Sequence, residues 1–287
     1  MSSAAPLIAI PQLTSFSGRA RTALAELNRV AADPKLGASL EDIRSRIRER
    51  VRKPTAEPNP RDLVELLIRD NDDIWQRLLK NQFCQNMKTA PASDKTVLAR
   101  FNRYMVQDFI YCARLVTYET DRANKATTAA QYNISAERIG KDASYANSML
   151  ITCITPSPDG LGISPDTAVL QAKIADVLES YTDYQISTAN NRGWVESLVV
   201  MIPCIQSYYQ IAHDLKANST DKDSLWYKLW AVVNDDESYP TNQRDFFIAN
   251  YDAWKDIKYQ ELTEIFRRAC QGEIDLWNYA LNAAETE

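Results

Sequence analysis

From Asn59 onward the apolar residues of this 287-residue chain recur at three- and four-residue steps, and no segment alternates apolar and polar residues between hairpin signals. That pattern removes sheets and leaves helices. Glycine is scarce, 7 in all, which argues against tight-turn folds and Gly-rich phosphate loops. No unit repeats at a fixed period of roughly 20 to 50 residues, so a solenoid is not expected. The expected fold is all-α, a bundle of about eight to ten helices.

The stretch FNRYMVQDFIYCARL, Phe101 to Leu115, reads as the middle of a long helix that follows a turn at Pro91–Asp94 and runs to about Asn124. Tyr104, Asp108 and Tyr111 share one face by four- and three-residue spacing, beside an apolar stripe of Met105, Phe109 and Cys112. A carboxylate between two phenols suits the floor of a small-ligand site, and it suits a hydrogen-bonded core acid equally well. Residues 60–88 carry two apolar patterns around a polar break at Asp70–Asp73, with Asn59 as the expected N-cap and Pro60 as the first helical residue. Further helices are expected over Ile134–Ile154, from a start at Ser164-Pro165-Asp166 to Thr188, and over Trp194–Lys216 with a kink at Pro203. A short aromatic helix spans Asp223–Val233. Pro240 is expected to break the chain, and Asn242–Ala283 to form one bent helix or two.

The segment PTAEPNP, Pro54 to Pro60, reads as a linker, since closely spaced prolines forbid a continuous helix. It divides the chain into an N-terminal helical arm and linker, residues 1–58, and a main helical domain, residues 59–287. Within the arm, Phe16–Ala32 has helical period, and Ser39 with Asp42 resembles a capping box for the basic helix EDIRSRIRERVRK. That helix carries Ile43, Ile47 and Val51 on one stripe, the pattern of a charged solvated helix docked by a narrow apolar edge. The net charge of −5 offers no basic surplus for phosphate backbones, so nucleic acid is not expected as a partner. No run of about 18 apolar residues is present, so a membrane is not expected either. Cys84, Cys112, Cys153, Cys204 and Cys270 are odd in number, widely spaced and without a CxxC. Together with an N-terminus lacking a basic n-region, they indicate reduced thiols in a cytoplasmic protein.

Metal chemistry has little to work with. The sole histidine, His213, lies near a helix end where a cation is favoured, and no Glu-x-x-His unit exists for a di-iron site. GxSxG and dinucleotide fingerprints are missing too. Acids, phenols and thiols remain. In LVVMIPCIQSYYQIA, Cys204 and Tyr208 are one turn apart on a helix that Pro203 bends. In ACQGEIDLWNYAL, Glu273 has Leu276 and Trp277 at i+3 and i+4, and a glutamate against an indole in an apolar cavity has a raised pKa and can donate a proton. A cysteine beside such an acid can add to an electron-poor ring. Each residue also has a plain structural reading: a buried Cys as a small hydrophobe, a helical Tyr as core, an acid as surface.

Four segments in this order resemble the TenA/THI-4 family, thiaminase-II-like proteins with the haem-oxygenase-type fold: FNRYMVQDFIYCARL, SYANSML at Ser144–Leu150, MIPCIQSYYQIA and EIDLW. The resemblance covers roughly residues 70–284. It implies that Asp108 binds an aminopyrimidine, that Tyr111 and Tyr145 line or stack on it, and that Cys204 is the nucleophile supported by Tyr208. It makes Glu273 the acid/base, Tyr104 a structural residue, and the reaction a cofactor-free, metal-free cleavage of a C–N bond at the pyrimidine methylene. It also implies a homo-oligomer, dimer or tetramer. Asn234 in YKLWAVVN stands where the family carries a tyrosine, and Leu276 stands where it carries a phenylalanine. Three functions therefore stay open: a thiamin-salvage or degradation hydrolase, a paralogue acting on another small molecule, and a binding protein without catalysis. The aromatics Trp226, Trp230, Tyr239, Phe246 and Phe247 are expected at the surface, at an interface or against the arm.

Overall fold

The computed structural model describes residues 59–164 and 169–282, and among them every regular element is helical. The expectations for the arm, residues 1–58, and for the residues just after Ser164 lie outside the described part. The helices are α1 (Leu63–Asp70), α2 (Asp72–Leu79), α3 (Gln82–Thr89), α4 (Lys95–Ala123), α5 (Ala129–Ile154), α6 (Asp176–Asn191), α7 (Trp194–Val199), α8 (Ile202–Asn218), α9 (Val232–Asn234), α10 (Ser238–Ala249), α11 (Tyr251–Trp254) and α12 (Tyr259–Asn282). None of them is long and apolar enough to cross a membrane.

The long helix α4 forms because nothing interrupts it. It contains neither glycine nor proline, and the Asp94 side chain caps its start by accepting from Val97 N at 2.9 Å. A short turn returns the chain into α5, which begins five residues before the expected Ile134 because Thr128 caps it through Gln131 N. α4 packs against α5, α6 and α12, and α12 packs against α2, α3, α6, α7 and α8 as well. The α4–α12 seam is aromatic: Tyr104 lies on Trp277 with ring centroids 4.4 Å apart and planes 14° apart. At the other end of α4, the buried Arg122 pairs with Glu119 and lies over Trp194 at 4.6 Å, tying α4 to α7.

Several boundaries differ from expectation, each for a local reason. Asn59 caps only a turn, through Arg61 N and Asp62 N, and Asp62 is the true N-cap of α1. Asp62 also receives Arg244 of α10, which fixes α10 against α1. The stretch from Trp194 breaks at Val200–Met201 because Pro203 has no N–H for the Val199 carbonyl, so the expected kink becomes the start of a new helix. Pro240 does not break the chain. It sits in the first turn of α10, where an N–H is not needed. The stretch from Asn242 divides into α10, α11 and α12, with Asn250 turning back onto the Phe246 carbonyl. Trp226, Trp230 and Phe247 are core residues, leaving Tyr239 as the strongly exposed member of the group expected at the surface.

The helix expected after Ser164-Pro165-Asp166 begins only at Asp176. Residues 172–175 are irregular instead, with Ala175 extended, and are held by the buried Gln107 of α4. Its Nε2 donates to the Lys173 carbonyl at 3.0 Å and its Oε1 accepts from Ala175 N at 2.8 Å. This clasp decides where α6 starts and hence which of its residues face the bundle interior. Replacing Gln107 by Leu removes two half-buried hydrogen bonds to the backbone and is expected to cost about 1–3 kcal/mol at roughly 0.5–1.5 per bond. Urea denaturation measures this directly, and an unchanged midpoint would show that the clasp contributes nothing.

Candidate active site

Four helices deliver side chains to one place in the interior. α4 supplies Tyr104, Asp108 and Tyr111, α6 supplies Tyr181 and Gln185, α8 supplies Cys204 and Tyr208, and α12 supplies Glu273 and Trp277. Glu273 has no accessible surface. Its Oε1 accepts from the Tyr181 hydroxyl at 2.8 Å, and its Oε2 is buried without a formed hydrogen bond. Tyr208 and Cys204 stand within reach of the carboxyl as donors, short of the alignment that a formed bond needs. Burial pushes the Glu273 carboxyl up to about 8, against the pull of Tyr181; the nearby Asp108 raises it further, and Tyr208 and Cys204 draw it back. None of these partners is a cation.

Asp108 is likewise buried, and burial lifts it to about 7 with only the Tyr104 hydroxyl pulling down. Tyr104 is the hub behind it. Its hydroxyl accepts from Trp230 Nε1 at 3.2 Å and shares one proton between Tyr208, 3.0 Å away, and Asp108; with that proton toward Tyr208, the Tyr208 proton is free to point at Glu273. Trp230 comes from a five-residue π-helical turn, Tyr227–Ala231, which aims its indole inward.

Cys204 lies in the first turn of α8, whose start has no side-chain cap, and it is the one cysteine of the five with appreciable exposure. The helix N-terminus favours a thiolate there. Burial of the sulfur nevertheless drives the thiol well up, and the Glu273 charge adds to that, while the Tyr111 hydroxyl within reach lowers it. Tyr111 stacks on Tyr181 at 5.9 Å and 12°, and its hydroxyl accepts from Gln185 Nε2 at 3.0 Å.

Of the residues singled out in the sequence, Asp108, Tyr111, Cys204, Tyr208 and Glu273 therefore meet. Tyr145 is 39% exposed and sits at the edge of this group, with its hydroxyl end near Asp108 and Cys204. Asn234 donates to the Trp230 carbonyl, one turn earlier, at 3.0 Å. His213 is an exposed partner of Asp235. Among the described residues, no group of three or more His, Cys, Asp or Glu is placed to hold a metal ion. A surface recess of about 330 Å³ between α6 and α12 is bordered by Tyr181, Tyr184, Arg268 and Gly272; Cys204 and Asp108 do not reach it.

Tyr181 and Gln185 are not singled out by the sequence, although one signal bears on Tyr181. Gly272 interrupts an otherwise good helix, and a Cβ there would meet Tyr181 Cδ2 at 2.2 Å. The glycine lets the Tyr181 ring lie on α12 and pass its hydroxyl to the next residue, Glu273.

The electrostatics predict a pH signature. A carboxyl near 4.5 in the unfolded chain and near 8 in the fold binds its proton more tightly when folded. Its contribution to stability is complete below about 4.5 and is lost as pH rises to 8. Glu273→Gln keeps an acceptor for Tyr181 and removes the titration, so it is expected to raise Tm relative to wild type at pH 8 by more than at pH 5. Equal shifts at both pH values would mean that the carboxyl is not buried as a neutral acid.

Comparison with known proteins bears on the family and the fold. Residues 69–283 match the model of the TENA/THI-4/PQQC family. No curated protein matches the chain. Among solved structures, it is similar to a TenA homologue from P. horikoshii OT3, at 20% identity and a TM-score of 0.60, over 77% of this chain and 99% of that one. A TenA family transcription regulator from Silicibacter sp. TM1040 gives 16% and 0.65, over 77% and 96% of the two chains. A candidate TenA-like thiaminase from Sulfolobus solfataricus P2 gives 22% and 0.59, over 78% and 98%. At these identities the likeness is one of fold.

Proposed function

The chain belongs to the TENA/THI-4/PQQC family, and from that premise we propose that it is a hydrolase cleaving a C–N bond at the methylene of an aminopyrimidine, with Cys204 as nucleophile and Glu273 as acid/base. The observation that carries this reading is the buried pair itself: a carboxyl lifted to about 8 within reach of a thiol, with Tyr181 donating to it. A general acid works best when its pKa lies near the working pH, and an isolated core glutamate would have no reason to sit beside the only accessible cysteine.

The proton inventory closes if the pair starts with one proton. Glu273 as carboxylate takes the Cys204 proton, the sulfur adds to a ring carbon, and Glu273 returns the proton to a ring nitrogen. The lone pair of the exocyclic amino group, acting through the remaining ring C=C bond, then expels the amine from the methylene, and the amine leaves with one amino proton. Water adds to the methylene carbon, its hydroxyl forming the new C–O bond and its other proton restoring the amino group. Glu273 takes the ring-nitrogen proton back, the electron pair so released re-forms the C=N bond and expels the sulfur, and the carboxylic acid returns that proton to the thiolate. The products are an alcohol and an amine. Asp108 would hold the exocyclic amino group, with Tyr111 and Tyr208 beside the reacting sulfur and Tyr145 at the rim.

Asn234 supports a second reading, in which the same groups act on a different small electron-poor molecule. Its amide is spent on the Trp230 carbonyl, so the wall that a tyrosine would supply is differently shaped. A missing aromatic contact is worth about 0.5–1.5 kcal/mol, enough to change substrate preference and too little to unmake the site.

Thiamin and aminomethylpyrimidine, incubated separately with the protein, should yield hydroxymethylpyrimidine by chromatography. Cys204→Ser should lose at least about a hundredfold in rate. For wild type, kcat/KM should rise with pH toward a midpoint near 8 as Glu273 becomes able to accept the thiol proton, and Glu273→Gln should abolish that limb. Release that survives Cys204→Ser would remove the thiol from the mechanism, and no release from either compound would leave the second reading.

A further inference from the structure

Gln185 lies fully buried on α6, one turn beyond Tyr181, and only one end of its amide is engaged. Nε2 donates to the Tyr111 hydroxyl oxygen at 3.0 Å and lies 3.3 Å from Met201 Sδ, while Oε1 is buried with no partner. Leaving a buried carbonyl unpaired is unfavourable, and turning the amide over would at once give Oε1 the phenolic proton of Tyr111. The Met201 sulfur opposes that reversal. As a weak acceptor it is satisfied by the amide N–H and would face a carbonyl oxygen otherwise.

The rest of Tyr111 is fixed. Its ring is buried and stacked on Tyr181, so the hydroxyl rotor is its remaining freedom. A phenol has one proton, and two acceptors compete for it: the Cys204 sulfur and whatever residue 185 presents. We propose that Gln185 is a positioning residue for Cys204, because by donating to the Tyr111 oxygen it leaves the phenolic proton to point at the sulfur. A phenol that accepts a hydrogen bond is also the stronger donor in its own. The order Gln185–Tyr111–Cys204 thus mirrors Trp230–Tyr104–Tyr208–Glu273: each begins at a hydrogen bond from a buried N–H and ends on a phenol within reach of, though not hydrogen-bonded to, one of the two groups that would react. The consequence for catalysis rests on Cys204 being the nucleophile; the effect on the thiol does not.

The test reads the thiol without any substrate. Full-length protein is treated with iodoacetamide at pH 8, and alkylation of Cys204 is followed by peptide mass spectrometry, with thermal melts confirming the fold. Gln185→Glu offers Tyr111 an acceptor in place of a donor. A thiol made one pH unit less acidic has about tenfold less thiolate, partly offset by its greater nucleophilicity, so alkylation should fall about three- to tenfold. Gln185→Met keeps the shape and removes the donor, and should lower alkylation about two- to threefold, which carries the test if the Glu variant fails to fold. In a Tyr111→Phe background both substitutions should have no further effect, to within about twofold. Alkylation at the wild-type rate in both variants, or a fall that persists without the Tyr111 hydroxyl, would overturn the proposal. Because no pyrimidine is used, a protein that fails to turn over thiamin compounds still gives a readable result here.

Discussion

Glu273 is carried into the middle of the bundle on α12 with a single formed hydrogen bond, from Tyr181, and no cation beside it. Burying an ionised carboxylate under those conditions is more costly than protonating it, so the group gives up its charge rather than its position. Much of the surrounding construction serves that one choice. Gly272 brings α6 close enough for Tyr181 to reach the carboxyl, Trp277 stacks on Tyr104 to join α12 to α4, and the Gln107 clasp fixes where α6 begins.

Two strings of donors converge on the centre from residues two turns apart on one face of α4. One starts at Trp230 and passes through Tyr104 and Tyr208 toward Glu273; the other starts at Gln185 and passes through Tyr111 toward Cys204. Both consist of neutral groups. Phenols and amides stabilise charge as it appears without holding a fixed charge of their own, so the site can move one proton between thiol and carboxyl with little rearrangement. The π-helical turn that presents Trp230 and the proline-broken start of α8 that presents Cys204 are two places where regular helix is given up. Both lie at this site.

The all-α fold was legible because helical period, sparse glycine and the Asp94 cap act locally. Glu273 and Cys204 were legible for the same reason, through an indole four residues on and a phenol one turn away. What escaped depended on distance. Tyr181 and Gln185 lie on α6, an unremarkable amphipathic stretch, and their partners are 92 and 74 residues away in sequence. The start of α6 was misplaced because Gln107, over 60 residues earlier, holds residues 173–175 irregular against a favourable helix signal. Trp226, Trp230 and Phe247 read as surface aromatics because their burial rests on distant partners, Met87 for Trp226 and Tyr104, Tyr208 and Trp277 for Trp230, which no local pattern records.

The central claim is that Glu273 is a neutral acid near pH 7 whose carboxylate, formed as the pH rises through about 8, takes the Cys204 proton. Infrared difference spectra between wild type and Glu273→Gln, recorded across pH, test it directly. A carboxylic-acid carbonyl band present at pH 6, absent from the variant and titrating with a midpoint near 8 is the predicted result. A Glu273 that shows only carboxylate bands at pH 6 would contradict the account.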